Sequence, residues 1–480
     1  MTTLPSGADG PAPLRTADGR PPRVAVLVYN DCHNDARVLK ECASLRAAGA
    51  EVRIIAVARD LAGYGPGLTH VGDGIELSRQ REFSLRTYAP ALAPLTARVA
   101  AAGRRAPAPG IATAAPTVAP AVVPDAGRTA SRRPAVRLPA ARLRSALVRR
   151  AADLGDRAFR SLALGHYWVL AVLDAVAWRP DVVHANDGNT LAPALAVRAL
   201  TGASIVYDAH ELWTRRNVRG DRWLAPHVEA AIERLGVARA AGVISVSPSI
   251  VRWLESRYAL PVAPTLVRNV PPAAAPPRPE DGRLRELAGL APDDRVIAYG
   301  GRITTSRGLE ETLDALALLP EDVHLVMLGY GEETYLRTLG ERADALGVAA
   351  RVHRVGPVAP DEVSTALADG DVSVVHVRPT CLSYEYSLPN KLFESIRAGL
   401  PVAAADLPDI REVVTSLGVG RVFEEDEPAD LAATLSSLLE SPEAYRDHAH
   451  AAAPGLVWEH EADQLLALYR RVLDPAEGAR

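Results

Sequence analysis

The sequence predicts an α/β protein built from two doubly wound, Rossmann-like domains in tandem. Short apolar runs alternate with segments of helical spacing, first over about 23–270 and again over about 283–458, which is typical of parallel sheets with crossover helices. The proline-rich segment PPAAAPPRPEDG, residues 271–282, separates the two series and predicts a linker. A chain of 480 residues is also too long for one hydrophobic core, so two domains are expected.

The first series begins with a β-α-β unit. RVAVLVYN (23–30) predicts a buried strand, DARVLKECASLRAAG (35–49) predicts a helix that ends at Gly49, and EVRIIAV (51–57) predicts the next strand. Such a start indicates a doubly wound sheet. Further strands of this series are predicted at 181–187, 204–210, 242–247 and 265–269.

The second series repeats this pattern, and the chain then ends in a segment, 459–480, that predicts a last helix near 459–473. The predicted strands of the second series are 295–301, 324–329, 351–356, 372–377 and 401–406. Ligands of doubly wound sheets bind at the carboxyl ends of the strands. With two such domains facing each other, the cleft between them is the expected site.

Composition and charge exclude several functional classes. The net charge of −4 gives no general attraction to nucleic acid, so no nucleic-acid partner is expected. Cys32, Cys42 and Cys381 are too few and too widely spaced for a disulfide framework or a zinc site, which favours a cytoplasmic location. Residues 1–22 lack the apolar core of a signal peptide and predict a disordered arm. Because no run of about 20 apolar residues is present, no membrane-spanning helix is expected.

An insertion interrupts the first series over about 86–148. It is rich in Ala, Pro and Arg and has no periodicity until about 139, where an amphipathic helix could begin, so a flexible segment is predicted. Two interpretations of its basic half stay open. One is a solvated linker, and the other is a peripheral contact with an anionic membrane or a lipid-phosphate substrate. The arginines concerned are Arg128, Arg132, Arg133, Arg137, Arg142, Arg144, Arg149 and Arg150.

The loop YGGRITTSRGLEE (299–311) is the first candidate binding segment. Gly300 and Gly301 allow a close approach of the backbone, and Arg302 and Arg307 flank the turn ahead of a helix. Two guanidinium groups at a helix N-terminus favour a diphosphate. Two ordinary surface arginines are the alternative.

A second glycine turn follows the next strand in VMLGYGEETYL (326–336), where Gly329 and Gly331 stand. An ordinary βα turn explains it equally well. Neither domain shows the GxGxxG fingerprint after its first strand, which argues against a nicotinamide dehydrogenase.

Charged and polar side chains follow two strands of the first series. YDAHELW brings Asp208, His210 and Glu211 to a strand end, and VHANDGNTL does the same for Asn186 and Asp187. A histidine facing a cleft can bind a hydroxyl group or a developing charge. The alternatives are a structural histidine bonded to a carboxylate, and helix capping by Asn186 or Asp187.

The segment SLPNKLFESIRAGLPV (387–402) is the most unusual of the candidates. Pro389, Asn390, Lys391 and Glu394 cluster in what the spacing predicts as the first turn of a helix. Such residues either cap the helix or form the rim of an anion site.

Taken together, these motifs resemble a GT-B-fold glycosyltransferase of the retaining family 4 type, in the subgroup that reads Pro-Asn-Lys-Leu-Phe-Glu. The resemblance runs from about residue 23 to 470 and leaves out the insertion. It rests on DARVLKECASLRAAGAEV, VHANDGNTL, YDAHELW, VSPSI, LVRNV, GGRITTSRGLEE and SLPNKLFESIRAGLPV, which occur in the family's order.

The resemblance implies a role for each motif. The first domain would bind the acceptor and the second a nucleotide sugar, without a metal ion or other cofactor. Glu394 would accept hydrogen bonds from the ribose, and Arg302 and Arg307 would neutralise the leaving diphosphate. His210 would lie near the transferred sugar. The other implied donor-side residues are Gly300, Gly301, Gly329, Gly331, Val355, Gly356 and Val358 (the last three at the base), with Leu388, Pro389, Asn390 and Lys391; the acceptor-side residues are Asp35, Arg37, Asp187, Asp208 and Glu211.

Two positions depart from the family's pattern. Arg307 stands where the family usually has Lys, and Tyr386 stands where many members have a Glu that addresses the sugar hydroxyls. The neighbouring Glu385 is therefore a candidate for that task, and the identity of the sugar is left open.

The implied reaction is transfer of a sugar from a nucleoside diphosphate sugar, UDP being the commonest carrier, to an acceptor hydroxyl with retention of configuration. A cytoplasmic protein, or one at the inner face of the membrane, is expected. Two other functions stay open: a non-catalytic nucleotide-sugar-binding partner of another transferase, and a sugar-nucleotide epimerase of the same fold.

Overall fold

The computed structural model describes residues 13–33, 35–59, 62–84, 88, 140–217 and 224–474. The chain divides into a main body, residues 1–80 and 168–480, and a smaller unit, residues 81–167. The strands are β1 (Arg23–Leu27), β2 (Glu51–Val57), β3 (Gly67–Val71), β4 (Ile75–Gln80), β5 (Val182–Asn186), β6 (Ser204–Ala209), β7 (Ala240–Ser245), β8 (Thr265–Leu266), β9 (Arg295–Gly300), β10 (Val323–Leu328), β11 (Val352–Val355), β12 (Val372–Val375), β13 (Val402–Ala405) and β14 (Gly420–Phe423).

Helices fill the connections between these strands. They are α1 (Ala36–Ala47), α2 (Ala140–Trp178), α3 (Leu191–Thr201), α4 (Ala225–Val237), α5 (Pro248–Tyr258), α6 (Leu284–Ala288), α7 (Leu309–Leu316), α8 (Glu333–Ala345), α9 (Val363–Leu367), α10 (Leu382–Glu385), α11 (Asn390–Arg397), α12 (Pro408–Leu417), α13 (Pro428–Glu440), α14 (Glu443–Ala452) and α15 (Trp458–Leu473).

The strands form two sheets, which confirms the predicted pair of Rossmann-like domains. The first sheet has the order β3-β4-β2-β1-β5-β6-β7-β8 and the second β11-β10-β9-β12-β13-β14. All neighbouring strands are parallel except β3, which is antiparallel to β4. Central strands such as VVHAN in β5 and VAVL in β1 are buried on both faces because helices cover each sheet.

The last helix, α15, packs on the first sheet although it follows the second in sequence. Trp458 donates its indole N–H to the Ser44 hydroxyl (2.9 Å), and the Tyr469 hydroxyl is 2.8 Å from Nδ1 of His184. Glu461 accepts from Arg268 Nε at 2.8 Å. The end of the chain therefore stabilises the domain in which the chain began.

The predicted elements agree with the structure except at the sheet edges. Strands β3, β4 and β14 were not predicted. GLTHV in β3 is mostly exposed, IELSRQ in β4 mixes polar with apolar residues, and GRVF in β14 is short. Of these, β3 and β14 are edge strands, and β4 lies between the edge strand β3 and β2. Strands at or next to a sheet edge bury less surface than central ones, so their hydrophobic signal is weaker.

The prediction of a disordered arm is wrong for residues 13–22. The Leu14 side chain is 1% exposed and belongs to the first domain's core, and its backbone N–H donates to Ala48 O at 2.8 Å. Arg20 Nη1 also donates to the Asp181 carboxylate at 2.8 Å. The apolar anchor is a single leucine, which no periodicity could reveal. Residues 1–12 lie outside the described residues.

The predicted insertion lies mostly outside the described residues. Helix α2 begins at Ala140, next to the position where a helix was predicted to start. Within α2, the segment Arg150–Trp178 is long and apolar enough to cross a membrane by length and composition, with a mean hydropathy of 1.3. Its last turns are part of the main body, since Ala171, Ala175 and Trp178 are buried there. We therefore assign those turns to the helical layer of the first sheet.

Replacing Leu14 tests whether the N-terminal segment is docked. Leu14→Ala removes a buried side chain and is expected to lower the free energy of unfolding by about 2–4 kcal/mol. Urea unfolding followed by circular dichroism measures the change. Leu200→Ala is the matched control, because Leu200 is 66% exposed on α3. Equal unfolding midpoints for the two variants would show that residues 13–22 contribute no core packing.

Candidate functional site

A cavity of about 440 Å³ opens where the carboxyl ends of the two sheets meet. It brings together most of the predicted site residues from both domains. Those that line it are Asp35, Arg37, His210, Glu211, Gly300, Gly301, Arg302, Arg307, Leu388, Pro389, Asn390, Lys391 and Glu394. Six further lining residues were not predicted from the sequence: Val246, Ile250, Asn269, Ser383, Tyr384 and Ser387. Several of these lie within motifs quoted above, VSPSI, LVRNV and SLPNKLFESIRAGLPV, but as ordinary apolar or small polar residues they gave no chemical signal.

Eight predicted site residues do not line this cavity: Asp187, Asp208, Gly329, Gly331, Val355, Gly356, Val358 and Glu385. The structure shows a packing role for Gly329 and Gly331. A Cβ atom at Gly329 would lie 2.0 Å from Gly301 O, and one at Gly331 would lie 2.5 Å from Ile303 O. The second glycine turn thus lies directly against the first because neither residue has a side chain.

The glycine-arginine loop leaves its two guanidinium groups free. Gly301 has φ +112°, and the Tyr299 hydroxyl donates to Arg302 O at 2.7 Å, which holds the turn. Within the described part of the chain, neither Arg302 nor Arg307 forms an ion pair or a side-chain hydrogen bond. Arg307 lies 5.3 Å from the ring centre of Tyr384. The loop therefore presents positive charge to the cavity.

Helix α11 places Lys391 and Glu394 at the same cavity. Its N-cap is Pro389, and no side chain caps it, so the capping interpretation of this polar cluster is wrong. Lys391 Nζ is buried without a hydrogen-bond partner and lies 3.8 Å from the ring centre of Tyr299. Burial, together with the charge of Arg307, lowers the pKa of Lys391 well below its usual value. Burial raises the pKa of Glu394.

On the first-domain side, a buried ion pair lies directly below the cavity. Arg37 donates to both oxygens of Asp208, with Nε at 3.0 Å and Nη2 at 2.9–3.0 Å, and its Nη1 donates to Val267 O at 2.7 Å. Its Nη2 is also 3.0 Å from Glu41 Oε1. Burial alone would raise the pKa of Asp208, but Arg37 and His210 outweigh it and hold that pKa well below its usual value.

His210 lies between two carboxylates. Its Nε2 is 3.0 Å from Asp208 Oδ2, and its Nδ1 is 3.6 Å from Asp187 Oδ2. Burial favours the neutral ring, but these carboxylates outweigh it and raise the pKa of His210 to about 10. Both interpretations of His210 are therefore compatible, because the ring is bonded to a carboxylate and also lines the cavity. At neutral pH it is a cation.

The capping interpretation of Asn186 and Asp187 is wrong. The Asn186 amide donates to Leu27 O at 3.1 Å, and Asp187 accepts from the backbone N–H of His210 at 3.2 Å instead of capping the next helical turn. The neighbouring Glu211 lines the cavity, and burial with the charge of Asp187 raises its pKa to about 7.

Within the described parts of the chain, one group of potential metal ligands is found, and it includes Asp208 of the ion pair. One ligand atom each from Glu41, His184 and Asp208 lie within 4.8 Å of one another. The Arg37 guanidinium contacts both carboxylates and takes the place of a cation there. These residues fit an ion-pair network better than a metal site.

Comparison with known proteins gives two family matches. The family model described as "Glycosyltransferase Family 4" matches residues 131–272, and "Glycosyl transferases group 1" matches residues 282–453. Curated relatives include the D-inositol 3-phosphate glycosyltransferases of Geodermatophilus obscurus (28% identical over 306 residues, 60% of this chain and 66% of the relative) and Mycobacterium avium (31% over 204 residues, 41% and 46%). The matches thus span less than two thirds of the length of these relatives.

Solved structures share the whole arrangement. The sucrose-phosphate synthase of Thermosynechococcus elongatus superposes with a TM-score of 0.65 at 16% identity, covering 95% of this chain and 100% of that one. Anabaena HepE in complex with UDP and glucose gives 0.57 at 14% identity, covering 95% and 100%. At such identities the likeness shows the fold alone. The fold is thus the GT-B fold, and the two family models match one part each, residues 131–272 and residues 282–453.

Proposed function

We propose that this protein transfers a sugar from a nucleoside diphosphate sugar to a hydroxyl group of an acceptor, with retention of anomeric configuration. The observation that carries the proposal is an excess of unpaired positive charge in the cavity. Within the described residues, Arg302, Arg307 and Lys391 all line the cavity, and none of them forms an ion pair with a carboxylate. Cationic groups arranged in this way favour a diphosphate ligand.

The environment of Lys391 supports an anionic ligand in particular. A buried ammonium without a hydrogen-bond partner is costly. Burial lowers the pKa of Lys391 accordingly, and the nearby Glu394 opposes this shift without outweighing it. A bound diphosphate would supply the missing negative charge. The N-terminus of α11, at Asn390, faces the same cavity and favours an anion as well.

Glu394 is suited to the ribose. Its side chain lines the cavity and has no hydrogen-bond partner within the described part of the chain. A carboxylate can accept two hydroxyl hydrogen bonds at once. The base would lie toward Val355, Gly356 and Val358, beyond the cavity itself. UDP is the first carrier to test, since the Anabaena HepE structure contains UDP.

The reaction needs stabilisation of the departing diphosphate. Arg302 and Arg307 would neutralise its charge, and the cationic His210 would lie beside the transferred sugar, held by Asp187 and Asp208. Among the described residues, no carboxylate of the cavity is obviously placed to attack the sugar as a covalent nucleophile. This favours front-face attack assisted by the leaving phosphate. With these cations in place, we expect no divalent metal requirement.

The acceptor would enter on the side of Asp35, Arg37 and Glu211. The curated relatives are named D-inositol 3-phosphate glycosyltransferases, so D-inositol 3-phosphate is the first acceptor to test. Product analysis separates the other two functions. A non-catalytic partner would bind the nucleotide sugar without consuming it, and an epimerase would convert it without an acceptor. We also propose that the protein belongs to the subgroup that reads Pro-Asn-Lys-Leu-Phe-Glu and that it is located in the cytoplasm.

Nucleotide binding tests the donor site directly. In a thermal-shift panel of UDP, GDP, ADP, CDP and dTDP, a nucleotide at about 100 times its dissociation constant should add about 2.7 kcal/mol of stability. We expect one nucleotide to stabilise the wild type and Glu394→Ala to lose this stabilisation. Glu440→Ala, on the exposed last residue of α13, is the control and should keep it. A panel in which no nucleotide stabilises the wild type would contradict the proposed donor site.

The charge of His210 predicts a pH-dependent contribution to stability. Its pKa of about 10 in the folded protein lies above that of a free imidazole, about 6.5, so protonation stabilises the fold. The contribution is fully present below about pH 6.5 and is lost as the pH rises to about 10. The difference in melting temperature between the wild type and His210→Gln should therefore be largest at pH 6 and shrink toward pH 10. His227→Gln, on the exposed side of α4, is the control. A pH-independent difference would show that folding does not raise the pKa of this ring.

Peripheral membrane contact is the remaining part of the proposal. It is supported by the arginine run over 128–150 and by Leu162, Val169 and Leu173, which are exposed on α2. We expect the protein to sediment with anionic vesicles and not with neutral ones, and the binding to weaken with salt. The variant with Arg128, Arg132, Arg133 and Arg137 all replaced by Gln should bind less. Equal sedimentation with both kinds of vesicle would contradict the contact.

A further inference from the structure

The segment that forms one wall of the cavity is held from the other domain. Ser383 and Ser387, at its two ends, both line the cavity. The backbone N–H of Leu212, in the first domain, donates to Ser383 Oγ at 3.1 Å. The Ser247 hydroxyl, also in the first domain, donates to Tyr386 O at 2.6 Å. The Ser383–Ser387 wall therefore depends on both domains for its position.

A third contact between the domains lies next to this wall and carries a charge. Asp409, on the second residue of α12, accepts from Ser249 twice: from the backbone N–H at Oδ2 (2.9 Å) and from the hydroxyl at Oδ1 (2.8 Å). Asp409 is 4% exposed and Ser249 is 6% exposed. Ser249 is the second residue of α5, which is eleven residues long and which Ser247 caps.

The electrostatics of this contact favour the joined state of the domains. The Asp409 carboxylate lies in the first turn of its own helix and at the N-terminus of α5, and both helix dipoles stabilise a negative charge there. The nearest cation, Arg252, is 3.7 Å from Oδ1, and its Nη2 donates to Ser249 Oγ at 2.8 Å. Because the Arg252 side chain is 67% exposed, its charge contributes little. The contact therefore depends mainly on the donors of Ser249. Separation of the domains at this point would replace those donors by water and would also break the two contacts of Ser247 and Leu212.

We propose that Asp409 is a positioning residue for donor binding: by joining Ser249 it keeps the first domain in place against the Ser383–Ser387 wall, and the donor pocket is complete only while this contact is made. The inference rests on the proposed function for the identity of the ligand. The contact between Asp409 and Ser249 is observed independently of that function. Opening of the cleft would dismantle the wall and release the nucleotide, and closing would rebuild it.

The variants are chosen to change the contact and little else. Asp409→Asn keeps the size of the side chain and removes its charge and one acceptor. Ser249→Ala removes the hydroxyl donor from the other side, and the double variant completes a cycle. Glu412→Gln is the matched control, because Glu412 is exposed on the same helix. Circular dichroism and thermal melting verify that each variant is folded.

The first readout needs no ligand. Hydrogen exchange by mass spectrometry is followed in peptides that cover 208–213 and 383–387. Asp409→Asn should speed amide exchange in both, including at Leu212, whereas Glu412→Gln should not. Unchanged exchange in both peptides would overturn the proposal, whether or not any nucleotide binds.

The second readout is the dissociation constant of the nucleoside diphosphate selected by the thermal-shift panel, measured by calorimetry. Asp409→Asn should weaken binding about tenfold, as loss of a charge-assisted hydrogen bond does. The double variant should be no weaker than Asp409→Asn alone, because both changes remove one contact. Faster exchange with an unchanged dissociation constant would overturn the positioning role. If Asp409→Asn speeds exchange but the wild type binds no nucleotide, the role of the Asp409–Ser249 contact in joining the domains is supported. The proposed function is then rejected.

Discussion

The buried ion pair between Arg37 and Asp208 is the interaction on which the first-domain side of the site depends. It joins helix α1 to strand β6 and, through Val267 O, to the segment after β8. Both partners are almost fully buried, and removal of one partner from such a pair typically costs about 3–5 kcal/mol because the other charge is left unpaired. Asp208 also accepts from His210, so the pair that holds the domain together sets the position and the charge of the histidine in the cavity wall.

The second domain has a different arrangement of charge, because its basic side chains at the cavity are not paired as Arg37 is. Its Gly-Arg loop and helix α11 bring Arg302, Arg307 and Lys391 to one cavity. Glu211 and Glu394 line the same cavity, but among the described residues none of the three basic side chains forms an ion pair. The charged form of Lys391 is unfavourable in the free protein because its Nζ is buried without a hydrogen-bond partner, and its pKa is lowered accordingly. Functional sites often contain such locally destabilising groups, which are compensated when the ligand binds. The first domain pairs its charges internally, and the second leaves them for a ligand.

These two halves are connected at the point where the cavity wall is built. Ser383 and Tyr386 belong to the second domain by sequence, yet their hydrogen-bond partners include Leu212 and Ser247 of the first. The last helix adds a further link, since Tyr469 packs against His184 beneath the ion pair. Segments that follow the first domain in sequence thus contact both the cavity wall and the residues around the Arg37–Asp208 ion pair.

The sequence alone predicted the two-domain α/β architecture, the central strands of both sheets and most of the residues that line the cavity. It could do so because buried parallel strands leave continuous apolar runs and because ligands of doubly wound sheets bind where those strands end. It did not reveal the docking of Leu14 or the edge strands, where little surface is buried. Nor did it reveal that Gly329 and Gly331 serve packing, that Asp208 lies below the cavity and not in its wall, or that Ser249 meets Asp409. These facts depend on which residues meet across 160 positions of chain, and only tertiary structure decides such distances, because hydrogen bonds and ion pairs between distant residues leave no periodic pattern in the sequence.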